Sequence, residues 1–352
     1  MIALDGLGIT AKCDAKGQPD SVAISPDGKF VAIAIENERD EDLNDGVIPQ
    51  MPAGHLAIFD LDETGTPTNC DAVRIVDLTG LAEVAPTDPE PEFVSINSQN
   101  QVVVTLQENN HIAVVDLASG EVVSHFSAGT ASAENIPVSK VRMSDASGST
   151  ENVKREPDAV AWIDDERFVT ANEGDYEGGS RGFTVFHKVG TEVFESGTAF
   201  EQAVIRAGHY PDKRSDAKGV EPEGMAISPD SKWVVNTSET TNMAHFIDTE
   251  SFQIKILLVP QVGNGKVADT FKVFSIFRPC EALIFRRYGI TTHKAFGEID
   301  DVLSAVAVFR PTWVIRCQTF AARLHRKGQV VNLLTCIVVV ELSRHIPAGR
   351  FQ

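Results

Sequence analysis

The sequence predicts an all-β chain: a partial β-propeller of about four blade units over residues 1–251, followed by an unrelated basic segment over residues 252–352. Three observations predict it. A proline–acid phrase recurs four times, paired apolar segments around a polar turn follow each copy, and the charge balance reverses near Phe252. Short β-branched runs repeated with turns are the mark of propeller blades. The rival, a β-sandwich, gives no reason to repeat one phrase four times.

The copies read Gln18-Pro19-Asp20, Glu90-Pro91-Glu92, Glu156-Pro157-Asp158 and Glu221-Pro222-Glu223, with prolines 72, 66 and 65 residues apart. In the first, Val22-Ala23-Ile24 and Phe30-Val31-Ala32-Ile33 flank Ser25-Pro26-Asp27-Gly28. Proline presets φ while Asp and Gly tolerate the other turn conformations, so a hairpin is expected. The last copy uses Ser228-Pro229-Asp230-Ser231, and the middle copies use Ser98-Gln99-Asn100 and Asp164-Asp165-Glu166. A third strand follows, ending in Asp60, Asp116 and Asp248 in three units, with Phe183–Phe186 the exception. Val73–Val76 and Val122–Phe126 read as fourth strands. The repeat exceeds the usual roughly 40–50 residues, so long loops are expected at 129–155 and 187–219.

Composition narrows the function classes. With 31 basic and 50 acidic side chains the net charge is −19, and 42% of residues are hydrophobic. Such a chain has material for a core and is neither disordered nor collagen-like. Nucleic acid is not expected as a partner, because phosphate binding needs a basic face. No apolar run reaches the roughly 18 residues of a membrane helix, and residues 1–12 lack the pattern of a signal peptide.

Three stretches carry a resemblance: Glu156–Trp162, Asn172–Gly182, and Ala207–Pro211 through Gly219–Gly224. Over about residues 15–224 the chain resembles the choice-of-anchor I family, secreted or surface-anchored propellers often labelled alkaline-phosphatase-like or mesenchyme-specific cell-surface-glycoprotein-like. From Met225 to Asp248 it looks more like the YVTN propeller family. The resemblance implies a propeller placed outside the cell or in the periplasm, and it says little about chemistry.

The acids follow the repeat. One comes directly after each proline, at Asp20, Glu92, Asp158 and Glu223, and a glutamate stands sixteen or seventeen residues after it, at Glu36, Glu108, Glu173 and Glu239. In a hairpin the end of the second strand lies beside the start of the first, so these positions meet. If first strands line the channel, the carboxylates ring one mouth. Crowded like charges need a neutraliser, and Ca²⁺ takes about six to eight oxygen ligands. Asp175, in the oxygen-rich loop Asn172–Gly179, joins the candidate ligands. The competing reading is that these acids satisfy backbone donors and keep a β surface soluble.

Two functions follow. The first is an extracellular or cell-surface binding module with a Ca²⁺-binding mouth and a small-molecule or protein ligand. The alternative is a metal-dependent phosphoesterase, alkaline-phosphatase- or phytase-like, in which bound metal clamps a phosphate ester. His209 is its candidate acid/base, and Arg181, Lys213, Arg214 and Lys218 its candidate phosphate ligands, each read more simply as loop charge. No nucleophile elbow, Walker loop or dinucleotide fingerprint is present. Cys13 and Cys70 form either one disulfide closing the first unit or two separate thiols. His111, His125 and His245 fall in strand patterns and read as packed or edge residues.

Residues 252–352 carry net charge +8 against −27 for residues 1–251. They hold no proline–acid phrase, arginine supplies 9 of their 14 basic residues, and phenylalanine is dense. Their readings are a small domain, a basic interaction segment, or an out-of-frame translation. The abrupt loss of every repeat feature favours the last.

Overall fold

A computed structural model describes residues 9, 11–140, 145–241 and 243–258, together with the backbone of three strands further on. Four four-stranded antiparallel sheets follow one another along the chain as the blades of a β-propeller. Blade 1 comprises β1 (Gln18–Ile24), β2 (Phe30–Glu36), β3 (His55–Asp60) and β4 (Arg74–Asp77). Blade 2 comprises β5 (Pro91–Ile96), β6 (Gln101–Leu106), β7 (His111–Asp116) and β8 (Val122–Ser127). A separate hairpin, β9 (Thr130–Ile136) and β10 (Gly148–Lys154), precedes blade 3. Blade 3 comprises β11 (Val160–Trp162), β12 (Arg167–Asn172), β13 (Gly182–His187) and β14 (Glu192–Glu195). Helix α1 (Ala199–Ala207) leads to blade 4: β15 (Pro222–Ile227), β16 (Trp233–Ser238), β17 (Met243–Asp248) and β18 (Ile254–Leu258).

Every unit therefore has a fourth strand, including the two in which the sequence shows no clear one. The expected loops also carry structure: β9 and β10 lie within 129–155, and β14 and α1 within 187–219. Strands β19 (Ala305–Phe309), β20 (Trp313–Gln318) and β21 (Val339–Ser343) form a further sheet. The expected tail also supplies β18 of blade 4, which pairs with β17, and its other residues beyond Leu258 lie outside the described residues.

One device closes all four inner hairpins. A polar side chain at the end of the first strand accepts backbone N–H groups from across the turn. Ser25 Oγ accepts from Lys29 and Phe30 at 3.1 and 3.0 Å, and Asn97 Oδ1 from Gln99 and Gln101 at 3.0 and 2.9 Å. Asp164 Oδ1 accepts from Glu166 and Arg167 at 2.9 and 2.7 Å, and Ser228 Oγ from Trp233 at 3.0 Å. Short polar side chains that bond nearby backbone favour such turns, which explains why four different sequences serve one place.

The core is layered between blades. Leu56, Ile58, Val102, Val104 and Leu106 fill the seam of blades 1 and 2. Trp162, Phe168, Phe186 and Val103 fill that of blades 2 and 3. Phe183, Phe200, Val204, Met225 and Ile247 fill that of blades 3 and 4. The inner strands β1, β5, β11 and β15 thus lie in chain order, each against the next. Val94, Val160 and Met225 are buried at the seams, while Val22, at the matching place of blade 1, is 60% exposed.

Cys13 and Cys70 are joined in a disulfide across 57 residues. It ties the segment before β1 to the turn before β4. Closing a loop of this length chiefly restricts the unfolded chain. Reduction should cost about 4 kcal/mol, measured as a drop in the urea midpoint with a steeper slope, because the freed unfolded chain is less compact.

Candidate functional site

The repeated phrase builds a β-bulge. In blade 1 the register passes from Pro19 opposite Ile35 to Val22 opposite Ile33, leaving one extra residue on β1. The same slip lies between Pro91 and Val94 and between Pro222 and Met225. In blade 3, Asp158 N–H donates to the Ala171 carbonyl at 3.0 Å while Ala171 N–H donates to Ala159 at 2.8 Å, again two residues against one. A bulge re-aims the side chain it carries, and in each blade that residue is the acid after proline.

Gln18 faces Glu36 across the first hairpin, Pro91 faces Leu106, and Pro222 faces Ser238. The second acids therefore return to the same mouth as the first. Carboxylate oxygens of Asp20, Glu36 and Glu92 lie within 4.8 Å of one another, at the seam of blades 1 and 2. Those of Glu173, Glu221 and Glu239 do the same beside blade 4. Glu221, which precedes the proline, takes the place in this second group that the spacing assigns to Glu223. Asp158 lies between the groups, close enough to feel Glu173, Glu223, Asp20 and Glu108.

Burial and mutual repulsion hold Glu36, Glu92, Glu108, Asp158 and Glu173 toward their protonated forms. Burial, then Asp20, raises the Glu36 carboxyl to about 7. Glu92, Glu108 and Asp158 stand well above the ordinary carboxylate range, burial leading in each case. Glu173 is raised to about 8 by burial, with Lys218 opposing and Glu223 and Glu239 reinforcing. Asp175 goes the other way. Burial pushes it up, but Lys218 and Arg39 outweigh that and hold it low.

Asp175 is thus held by cations already in the chain. Arg39, from the loop after β2, reaches across the mouth and donates to its carboxylate at 2.6 and 3.0 Å and to its carbonyl at 2.8 Å. Lys218 Nζ lies 2.9 Å from its other oxygen. The loop carrying Asp175 rests on Glu156, whose carboxylate accepts N–H groups from Asp175, Tyr176 and Glu177 at 2.8–2.9 Å. Glu156 is fully buried with φ +42°, a conformation costly for a residue with a side chain and typical of functional loops.

Behind the first group stands a second carboxyl layer that the spacing alone does not single out. Glu90 and Asp88 are both fully buried. Glu90 and Asp88 share a side-chain hydrogen bond, while Glu108 Oε2 has no partner among the described residues. Burial, with Glu108, Asp88 and Glu36 nearby, raises Glu90 to about 10.

Of the loop cations, Lys218 and Arg214 stand at the mouth, on Asp175 and Glu221, and the others and the histidines fall elsewhere. Arg181 is buried and donates to the carbonyls of Pro137, Ser215 and Ala217, which corrects its reading as solvated charge. Arg214 pairs with Glu221, and Lys213 is exposed. His209 Nδ1 lies 3.2 Å from the Thr241 carbonyl. His245 is buried against Phe200, with ring centres 4.0 Å apart, and His111 meets His125 at 3.1 Å.

A family model of the choice-of-anchor I domain matches residues 5–178 and 176–249. The chain belongs to the choice-of-anchor I family. The match runs through Met225–Asp248, the stretch that looks YVTN-like, and ends near the charge break. Among curated proteins none matches. Solved structures with a similar arrangement include a functionally unknown protein from Desulfotomaculum acetoxidans, at 10% identity and TM-score 0.41, covering 72% of this chain and 59% of that one. The Cps50 (Swd1) propeller domain of Myceliophteria thermophila gives 8% identity and TM-score 0.42, covering 94% and 73%. The periplasmic gluconolactonase PpgL of Pseudomonas aeruginosa gives 12% and 0.39, covering 85% and 63%. The chain thus spans less than two thirds of the first and last of these. Among the described residues no helix is long and apolar enough to cross a membrane.

Proposed function

We propose that this propeller is a secreted or cell-surface binding module whose acidic channel mouth holds a divalent cation and takes its ligand through that cation. One observation carries the reading: acids from separate blades approach until three carboxylate oxygens lie within 4.8 Å. Ligands on opposite sides of a Ca²⁺ ion, each at about 2.3–2.6 Å, are separated by that order of distance. The donors are all oxygen, which suits Ca²⁺ or Mg²⁺ over softer metals. The place outside the cell rests on family membership.

Calorimetric titration of the full chain with CaCl₂ at pH 7.5 tests this. Saturable binding is expected in the range of extracellular Ca²⁺ modules, on the order of 10⁻⁴–10⁻³ M. Absence of binding at 10-fold higher concentration would remove the proposal. The phosphoesterase reading needs a base beside the acids, whereas His209 engages the Thr241 carbonyl. Ca²⁺-dependent hydrolysis of a generic phosphate ester, abolished by Glu173→Gln with Asp175→Asn, would move the assignment to that class.

A further inference from the structure

Blades 2, 3 and 4 each have one face covered by the blade before them. Among the described residues no blade precedes blade 1. On its matching face Val22 stands opposite Ile33, Ile33 opposite Ala57 and Ala57 opposite Ile75, an apolar row across all four strands. The middle of that face is nevertheless buried. Ile35, Ala57 and Phe59 are 2, 0 and 3% exposed, whereas Val22, Ile24 and Ile75, on the inner and outer strands, are 60, 57 and 46% exposed.

The described residues outside blade 1 that pack on this middle are Cys13 and Ala15. They belong to the segment 11–17, which crosses the strands in turn. Gly17 lies against Ile35 of β2, so closely that a Cβ would stand 2.2 Å from Cγ2. Ala15 meets β3, its carbonyl 3.2 Å from His55 Nε2. Cys13 is joined to Cys70, in the turn before β4. Apart from that bond the segment holds on weakly. Lys12, Asp14, Lys16 and Gly17 are exposed, and the Lys16–Asp14 ion pair lies wholly within it. Fixing seven residues costs conformational entropy at each, and side chains as small as Cys13 and Ala15 return little of it. A cleft of about 490 Å³, lined by Lys12, Cys13, Asp14, Ala15, Gly17 and Pro19, opens beside the disulfide and gives a small thiol access.

We propose that residues 11–17 form a redox-released strap. While Cys13 and Cys70 are joined, the strap takes the place of a preceding blade on blade 1; reduction frees it and uncovers the face beneath. The reductant is a dithiol. Its first thiolate attacks one sulfur of the disulfide, forming a mixed disulfide and expelling the other cysteine as thiolate, and its second thiolate displaces the remaining cysteine. The dithiol ends as a cyclic disulfide, and its two protons pass to Cys13 and Cys70.

Tryptic cleavage of the full chain at Lys12 and Lys16, with and without dithiothreitol at pH 7.5, tests this, read beside hydrogen exchange over the four blades. Reduction should speed cleavage at both lysines at least about 10-fold, since proteolysis follows the population of the open form. Cys13→Ser with Cys70→Ser should match the reduced chain without any reductant. The strands of blades 2–4 should stay protected from exchange in every case. Unchanged cleavage on reduction would overturn the proposal, because the strap would then hold without its pin. Loss of protection throughout blades 2–4 would overturn it too, because the disulfide would then staple the whole fold.

Discussion

Glu90→Gln is expected to stabilise the metal-free chain by about 4 kcal/mol at pH 7.5 and by almost nothing at pH 4.5. The sign follows from linkage. The folded chain holds this carboxyl to about 10, against an ordinary value of 4.5, because it is buried among Glu108, Asp88 and Glu36. The stability of the native chain on this account is fully present below about 4.5 and is lost as pH rises toward 10. At pH 7.5 the unfolded carboxyl has released its proton while the folded one retains it. That difference of about three pH units, at about 1.36 kcal/mol each, is the cost that Gln removes. The amide can also keep the hydrogen bond to Asp88 by donating an N–H. Urea unfolding at the two pH values measures the effect, and a destabilised variant at pH 7.5 would show that Glu90 is ionised and paired. If the carboxyl also backs a cation, the same change should weaken Ca²⁺ binding, so stability and affinity would move in opposite directions.

Glu156→Ala should act the other way, costing about 4–5 kcal/mol, from three charge-assisted hydrogen bonds at roughly 1.5 kcal/mol or more each. The carboxylate organises the turn Gly174–Gly178, and that turn presents Asp175 to Arg39 and Lys218. Without it three N–H groups lose their acceptor, and the contact between the loop after β2 and the loop after β12 loses its base. Amide hydrogen exchange should show residues 174–178 deprotected, with β11–β13 still protected. Equal protection of the turn in variant and native chain would mean that Glu156 is not its support.

Much of this architecture is legible in the residues. Four proline–acid phrases place four inner strands, and hairpin geometry alone brings Glu36 back beside Gln18. The convergence of acids on one mouth follows from that repetition. What stays hidden depends on contacts distant in sequence. Nothing near Arg39 shows that it will meet Asp175, 136 residues away. In the second group Glu221 takes the place of Glu223, and Arg214, seven residues earlier, holds it there. Strand β14 escapes notice because Glu192–Glu195 pairs at an outer edge and lacks apolar alternation. The hairpin of β9 and β10 is similarly polar, with small residues alternating in Thr130–Ile136.

Thermal unfolding of the full chain at pH 7.5, with CaCl₂ and then with excess chelator, tests the central claim most directly. A ligand that binds only the folded state adds about 2.7 kcal/mol at 100 times its dissociation constant. The account predicts a transition raised by Ca²⁺, returned by chelator, and insensitive to Ca²⁺ in Asp20→Asn with Glu92→Gln. Superimposable melts of the native chain with and without Ca²⁺ would contradict it, leaving the mouth a set of crowded carboxyls with no ion to hold.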